Sequence, residues 1–354
     1  MTHASLREFV RVLEKNGDLK RVPFPVDTRL EMTDLCQRSL KCGGPALWFE
    51  QPRGFHMPVL GNLFGTSRRV AAALGYDNVK QFRTLAFLRE PRWPDQPRKA
   101  LGRLPALLPL LKATPHSVAR PPDYETVQTG ADVDLNCLPV WTCWPEDAGP
   151  LITWGLVVTR GTRKLRQNVA PYRQQVLGRN RVLMRWLSHR RGALDFRDWQ
   201  REHPGKPFPV VVMIGADPAL LIAATTPIPD SISEYQFAGL LRRRRSEVFR
   251  TAVGLDSCAR AEIVLEGHIA PGDEALEGPF GDHTGYYNSQ AMFPVLTVER
   301  LSIRRQAFYH GGYLGRSPLD EPSVLAMSLN EMFIPILQRS FPEIVDFHLP
   351  PEAR

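Results

Sequence analysis

Between Leu151 and Val298 the chain places five apolar runs of strand length: Leu151 to Thr159, Arg181 to Trp186, Pro209 to Ile214, Glu262 to Ile269 and Met292 to Val298. They are joined without the regular strand-helix-strand rhythm of a doubly wound sheet, and no Gly-x-Gly-x-x-Gly follows any of them. An antiparallel barrel or sandwich is the expected fold of this half. Ahead of it, Ser5 followed by Leu6, Phe9, Val10 and Leu13 and closed by Gly17 predicts an N-capped amphipathic helix. A second helix over Glu31 to Ser39 and short strands at Ala46 to Phe49 and Met57 to Leu60 complete a small α+β unit. Pro91, Pro94, Pro97, Pro105, Pro109, Pro115, Pro121 and Pro122 then leave little room for helix or ladder pairing, so this stretch reads as a connection. Its piece Leu104 to Leu111 is expected to pack against a neighbour, and a last helix, Pro322 to about Gln338, carries Leu325, Leu329 and Phe333 on one face.

With 354 residues the chain exceeds one ordinary core and calls for two domains and part of a third. Its hydrophobic and charged fractions, 43% and 23%, are those of globular chains and argue against disorder. A net charge of +8 favours an anionic partner: nucleic acid, an anionic membrane surface or a phosphorylated cofactor. The densest basic run, Arg242 to Arg245, follows Phe237, Leu240 and Leu241 and reads as the solvated end of an amphipathic helix. Aromatic residues are not interleaved with basic ones, so a nucleic-acid platform is unsupported. Cys36, Cys42, Cys137, Cys143 and Cys258 form no framework and fit reduced thiols in the cytoplasm. No signal peptide opens the sequence and no apolar run reaches membrane-spanning length, while contact with a membrane surface stays open.

Four polar islands interrupt the apolar runs: Gln167 to Arg173, Trp186 to Arg190, Ser233 to Tyr235, and Glu277 to Tyr286. Asn168 shortly after a strand, His189 at the end of another and Glu234 at the start of a helix offer an amide oxygen, an imidazole and a carboxylate from one rim. That mixed set suits Mn²⁺ or Mg²⁺ beside a phosphate better than structural Zn²⁺. Taken singly, a strand-end His such as His189 is more often a structural residue than a ligand, and the alternative for Glu234 is a capping box with Ser231. Arg173 is a fork for a carboxylate or phosphate, or one half of a structural ion pair. Glu277 and Asp282, five positions apart in a loop with Gly278, Gly281 and Gly285, are two acids whose proton affinities would differ near one arginine. No nucleophilic triad and no Gly-x-Ser-x-Gly elbow is present, which sets covalent acyl transfer aside.

At these motifs the chain resembles the UbiD family of prenylated-flavin-dependent decarboxylases. The resemblance runs through Gly43 to Leu47, Gly61 to Thr66, Thr142 to Ala148, Arg185 to Arg190, Ser233 to Tyr235 and Glu277 to Asn288. It implies that Asn168, His189 and Glu234 hold a divalent metal, Mn²⁺ in the first place, that ties the flavin phosphate to the protein. It further implies that Pro171, Tyr172, Arg173, Arg185, Trp186, Leu187, Arg190 and Arg191 surround prenylated FMN, with K⁺ near the backbone of Ala223, Ala224 and Thr226. Arg173, Glu277 and Asp282 match the catalytic set, with Asp282 as proton donor.

The implied fold is α+β: an N-terminal domain with its proline-rich connection over 1–120, a split β-barrel that binds the flavin over 121–318, and the start of a truncated C-terminal domain over 319–354. The implied reaction is decarboxylation of 4-hydroxy-3-polyprenylbenzoate to 2-polyprenylphenol in ubiquinone biosynthesis. A flavin prenyltransferase would supply the cofactor, and the protein would form a homo-oligomer, a hexamer in full-length relatives, in the cytoplasm or peripherally at the inner membrane. A truncated, non-catalytic flavin-binding or subunit-partner relative is the alternative. Ala170-Pro171 and Arg191 depart from the family pattern, Arg191 standing where a glycine is usual.

Overall fold

The computed structural model describes residues 3–89, 113–119, 124–228, 232–348 and 350. Most of the proline-rich connection, with the Leu104 to Leu111 piece, lies outside them. Ser5 caps the first helix, Leu6–Lys15, by accepting from Glu8 N, and buries Leu6, Phe9, Val10 and Leu13. Gly17 follows at φ +74°, a conformation that a side chain would resist. The second helix, Glu31–Lys41, runs past the predicted Ser39. Ala46–Pro52 and Val59–Gly61 pair antiparallel, as the middle of a four-stranded sheet. One edge strand of this sheet, Leu19–Val26, carries Pro23 and Pro25 and was not expected from the sequence. Proline is tolerated there because that strand pairs on one side only, with Ala46–Pro52. The other edge is Tyr309–His310, so chain from far downstream completes the N-terminal sheet.

The large sheet has nine strands, and every pairing in it is antiparallel. Its order is Leu151–Ile152, Gln174–Val176, Arg181–Met184, Ala291–Arg304, Ile263–Glu277, Phe208–Ile214, Leu156–Thr159 and Asn168–Pro171, with Tyr124–Thr129 paired to Ala291–Arg304. One connection forces its shape. Asn168–Pro171 lies at one end of that path and Gln174–Val176 next to the other end, yet only Tyr172 and Arg173 join them. Laid flat, the intervening strands would separate the two by roughly 29 Å at about 4.8 Å per strand. The connecting chain reaches about 11 Å at most. The sheet therefore curls until its two edges nearly meet, and Arg173 stands at that seam.

Period-two alternation sorts the strands between two cores. Leu156, Val158, Val211, Met213 and Val264 face one, together with the helix Pro218–Thr225. Val157, Val210, Val212, Ile214, Ile263 and Leu265 face the other. The helix Glu234–Arg242 ends the basic run differently from the solvated end expected. Arg242 is buried, with Nη1 2.5 Å from Asp217 Oδ1 and Nη2 donating to Ser246 Oγ at 3.0 Å, while Arg243, Arg244 and Arg245 are exposed. The reason is Asp217, the N-cap of the helix Pro218–Thr225, whose buried charge needs a partner.

The predicted helix from Pro322 is two helices, Glu321–Asn330 and Ile334–Ser340. Pro335 cannot donate inside a helix, so a new one begins around it. Glu321 is fully buried and accepts from Phe64 N at 2.6 Å and Trp154 Nε1 at 3.4 Å. Burial pushes its carboxyl up to about 7 from an ordinary 4.5. Between those values the folded chain keeps a proton that the unfolded chain has lost, so stability falls as pH rises through the window and stays lower above it. Glu321→Gln carries no such charge. Urea midpoints measured from pH 4.5 to 8 should therefore fall less steeply in the variant, and equal slopes would refute the assignment.

Candidate active site

Arg173 is held by three acceptors. Its Nε donates to Glu277 Oε1 at 2.8 Å, its Nη1 to Asp282 Oδ2 at 3.2 Å and its Nη2 to Asn288 Oδ1 at 3.0 Å. The guanidinium carbon lies 5.4 Å from the Phe280 ring centroid. Glu277 is buried, and its Oε2 accepts from Arg185 Nη1 at 2.6 Å and Asn288 Nδ2 at 3.2 Å. Asn288 Oδ1 also accepts from Phe280 N at 2.9 Å. Burial lowers the Arg173 proton affinity, with Glu277 and Asp282 opposing.

Asp282 keeps one oxygen on Arg173 and accepts with the other from His283 N at 2.7 Å and His283 Nδ1 at 2.8 Å. Burial alone would raise its carboxyl. Those His283 bonds and the Arg173 charge outweigh burial and hold it below the usual carboxylate range.

The loop that carries these acids is fastened by the Thr142 to Ala148 segment. Asp147 Oδ1 accepts from Gly281 N at 2.9 Å, and its Oδ2 accepts from Cys143 N and Trp144 N. A Cβ on Gly281 would stand 2.3 Å from Trp144 Cδ1, so only glycine lets the loop lie against that ring. Trp144 is fixed in turn by Nε1 donating to Leu314 O at 2.7 Å.

The second cluster gathers around Glu234, the first residue of its helix, where the helix dipole favours an acid. Ser233 caps this helix by accepting from Gln236 N at 3.1 Å, whereas Ser231 lies outside the described residues. Glu234 Oε2 accepts from Val169 N at 3.2 Å, and Oε1 accepts from Arg191 Nη1 at 3.3 Å. Burial pushes this carboxyl up to about 7. Asn168 begins its strand rather than following one, and pairs directly with Thr159. His189 lies exposed in the turn between Arg181–Met184 and the helix Arg191–Glu202.

Both clusters open into one cavity of about 780 Å³. Asn168, His189, Glu234, Arg173 and Asp282 line it, and Glu277 stands directly behind Arg173. Pro171, Tyr172, Arg185, Leu187, Arg190 and Arg191 line it as well. Trp186 does not. Arg185 and Leu187 face the cavity, while Trp186 turns the other way into the core against Tyr172, Phe196 and Phe208.

Trp154, Tyr313, Leu325 and Leu329 form an apolar wall that the sequence reading did not place in the site. Asn288 and His283 were likewise given no role there. Among the described residues no three His, Cys, Asp or Glu side chains converge as a metal-holding group, and the Asn168 set contains only two of those types. No helix among them is long and apolar enough to cross a membrane.

Comparison with known proteins agrees over both parts of the chain. Residues 116–317 match the family model described as the 3-octaprenyl-4-hydroxybenzoate carboxy-lyase Rift-related domain, and residues 10–88 match that of the carboxy-lyase N-terminal domain. Among solved structures, the vanillic acid decarboxylase of Sedimentibacter hydroxybenzoicus in closed form is 27% identical at TM-score 0.82, covering 98% of this chain and 71% of its own. An evolved dimeric form of the UbiD-class enzyme HmfF from Pelotomaculum thermopropionicum, in complex with prFMN, is 29% identical at TM-score 0.82, covering 99% and 76%. The 3,4-dihydroxybenzoic acid decarboxylase of Enterobacter cloacae shares the fold at 23% identity and TM-score 0.79, covering 97% and 71%.

Proposed function

The chain belongs to the UbiD family of decarboxylases, and from that premise we propose that it removes CO₂ from an aromatic carboxylic acid at the Arg173 cluster, with prenylated FMN bound in the adjoining cavity. The observation that carries this reading is the meeting of a fixed guanidinium and the Asp282 carboxylate on one hollow, with Glu277 behind Arg173 and Arg185, Arg190 and Arg191 in the lining. A volume of about 780 Å³ lies within the range of cofactor and substrate sites. Its apolar wall suits flat rings, and Arg185, Arg190 and Arg191 suit a phosphate. The curled sheet is read as a split β-barrel around that cofactor.

The donors fit a hard divalent ion such as Mn²⁺: an Asn168 amide, a Glu234 carboxylate and the His189 imidazole share the cavity. Arg191 Nη1 already donates to Glu234 Oε1 at 3.3 Å, so a metal taking that oxygen would displace it. Ala224 and Thr226, at the C-terminus of the helix Pro218–Thr225, line the same cavity, where carbonyl oxygens favour K⁺.

Bound prenylated flavin supplies an electron sink for the pair left behind when the carboxylate departs. Arg173 receives the substrate carboxylate on its cavity side while Glu277 and Asn288 fix its plane. Asp282 delivers a proton to the ring carbon, so that an aryl carboxylate and one proton become the arene and CO₂. The Tyr313, Leu325 and Leu329 wall would take an apolar substituent, as 4-hydroxy-3-polyprenylbenzoate carries. Ubiquinone biosynthesis, supply of the cofactor by a flavin prenyltransferase, a homo-oligomer and peripheral membrane contact belong to this same reading. Co-production with a flavin prenyltransferase tests it. The purified protein should show a flavin spectrum and release CO₂ from a short-tailed prenylated hydroxybenzoate faster than from the unprenylated acid. A protein that retains prenylated flavin but decarboxylates no aromatic acid would overturn the proposal.

A further inference from the structure

Asn168 presents either its oxygen or its nitrogen to the cavity, and only the oxygen binds a cation. Neighbouring hydrogen bonds decide which. Thr159 and Asn168 face each other across the hairpin, and both are buried. The Thr159 hydroxyl has one proton, which it donates to Asp195 Oδ2 at 2.7 Å. What remains on that oxygen is acceptor capacity, which takes Asn168 Nδ2 at 3.2 Å. The amide nitrogen is thus turned toward Thr159, leaving the carbonyl oxygen as the atom offered to a cation.

Asp195 is fully buried in the helix Arg191–Glu202, and its other oxygen is held by Lys164 Nζ at 2.6 Å. Two firm donors, Lys164 and the Thr159 hydroxyl, therefore fix the direction of the whole chain of bonds.

We infer that Thr159 and Asp195 are positioning residues of the divalent-cation site, a relay that keeps the Asn168 oxygen facing the cavity. The inference rests on the proposed reading of Asn168, His189 and Glu234 as cation ligands. Asp195→Asn would reverse the relay: its amide nitrogen would donate to Thr159, the freed Thr159 proton would seek the Asn168 oxygen, and the Asn168 nitrogen would face the cation. Thr159→Val removes the hydroxyl at nearly constant volume, and Thr159→Ser keeps it.

The test is Mn²⁺ titration of the metal-free full chain, following the electron paramagnetic resonance signal of free Mn²⁺, with melting of each apo variant measured alongside. Wild type and Thr159→Ser should bind Mn²⁺ within about 3-fold of one another, whereas Thr159→Val and Asp195→Asn should bind it about 10–100-fold more weakly, the usual effect of lost outer-shell partners. A purely structural role would lower melting while leaving Mn²⁺ affinity unchanged, and wild-type affinity in Asp195→Asn overturns the relay even if Thr159→Val fails to fold. Wild-type protein that binds no Mn²⁺ overturns the cation reading and the relay together.

Discussion

Arg173→Met is expected to end decarboxylation and to destabilise the fold by about 3–5 kcal/mol, the usual effect of removing one member of a buried ion pair. The guanidinium and the Glu277 carboxylate are both buried, and Asp282 is only partly exposed. Without Arg173 two acids remain close together and three acceptors lose their donor, the one on buried Glu277 at the greatest cost. Arg185 still reaches Glu277 Oε2 at 2.6 Å, so the Asp282 side of the cluster should loosen first. Arg173→Lys separates charge from shape: it restores a positive charge and much of the stability, but a point ammonium cannot serve Glu277, Asp282 and Asn288 at once. Denaturant midpoints and turnover of the flavin-loaded enzyme measure the two effects. A Met variant that turns over within about 10-fold of wild type would remove Arg173 from the reaction.

The same cluster shows what could be read in the sequence. Arg173, Glu277 and Asp282 announce themselves because charged residues interrupt apolar strands, a cost that chains tolerate where function or pairing requires it. Asn288 was passed over because a loop asparagine looks like turn chemistry, and only its contacts with Arg173, Glu277 and Phe280 show it holding the loop together. Thr159 and Asp195 lie 36 residues apart and meet only through the fold.

Large-scale structure followed a similar rule. The sheet strands were legible from their apolar runs, although Ala291–Arg304 and Ile263–Glu277 extend well past the predicted bounds into polar residues. Such residues keep pairing because ladder hydrogen bonds do not depend on side-chain polarity. The edge strand Leu19–Val26 was hidden by its prolines, and the helix Pro218–Thr225 by burial on all sides, which erases the 3.6-residue period. Trp186 shows the limit of reading a motif as a block, since alternation along Arg185, Trp186 and Leu187 sends the middle side chain away from the cavity.

Asp282→Asn should lower the turnover number about 10²–10⁴-fold, the range for loss of a positioned general acid, with flavin content and melting close to wild type. The substitution leaves one oxygen, which can accept from Arg173 or from His283 but not from both, and removes the titratable carboxyl. At rest the wild-type carboxyl lies below its ordinary range, which looks unsuited to an acid. Substrate reverses this: a second carboxylate beside Arg173 shares that guanidinium and adds a negative charge near Asp282, and both changes raise its proton affinity.

Substrate binding would therefore be coupled to proton uptake at Asp282, and a non-reactive aromatic carboxylate should bind more weakly as pH rises. In Asp282→Asn that pH dependence should largely vanish while affinity at high pH improves, because one of the two acids competing for Arg173 is neutral. Calorimetric titration of such an analogue in buffers of different ionisation enthalpy counts the protons directly. Equal proton uptake in wild type and variant would assign the proton to another group and leave Asp282 as a charge partner of Arg173 alone.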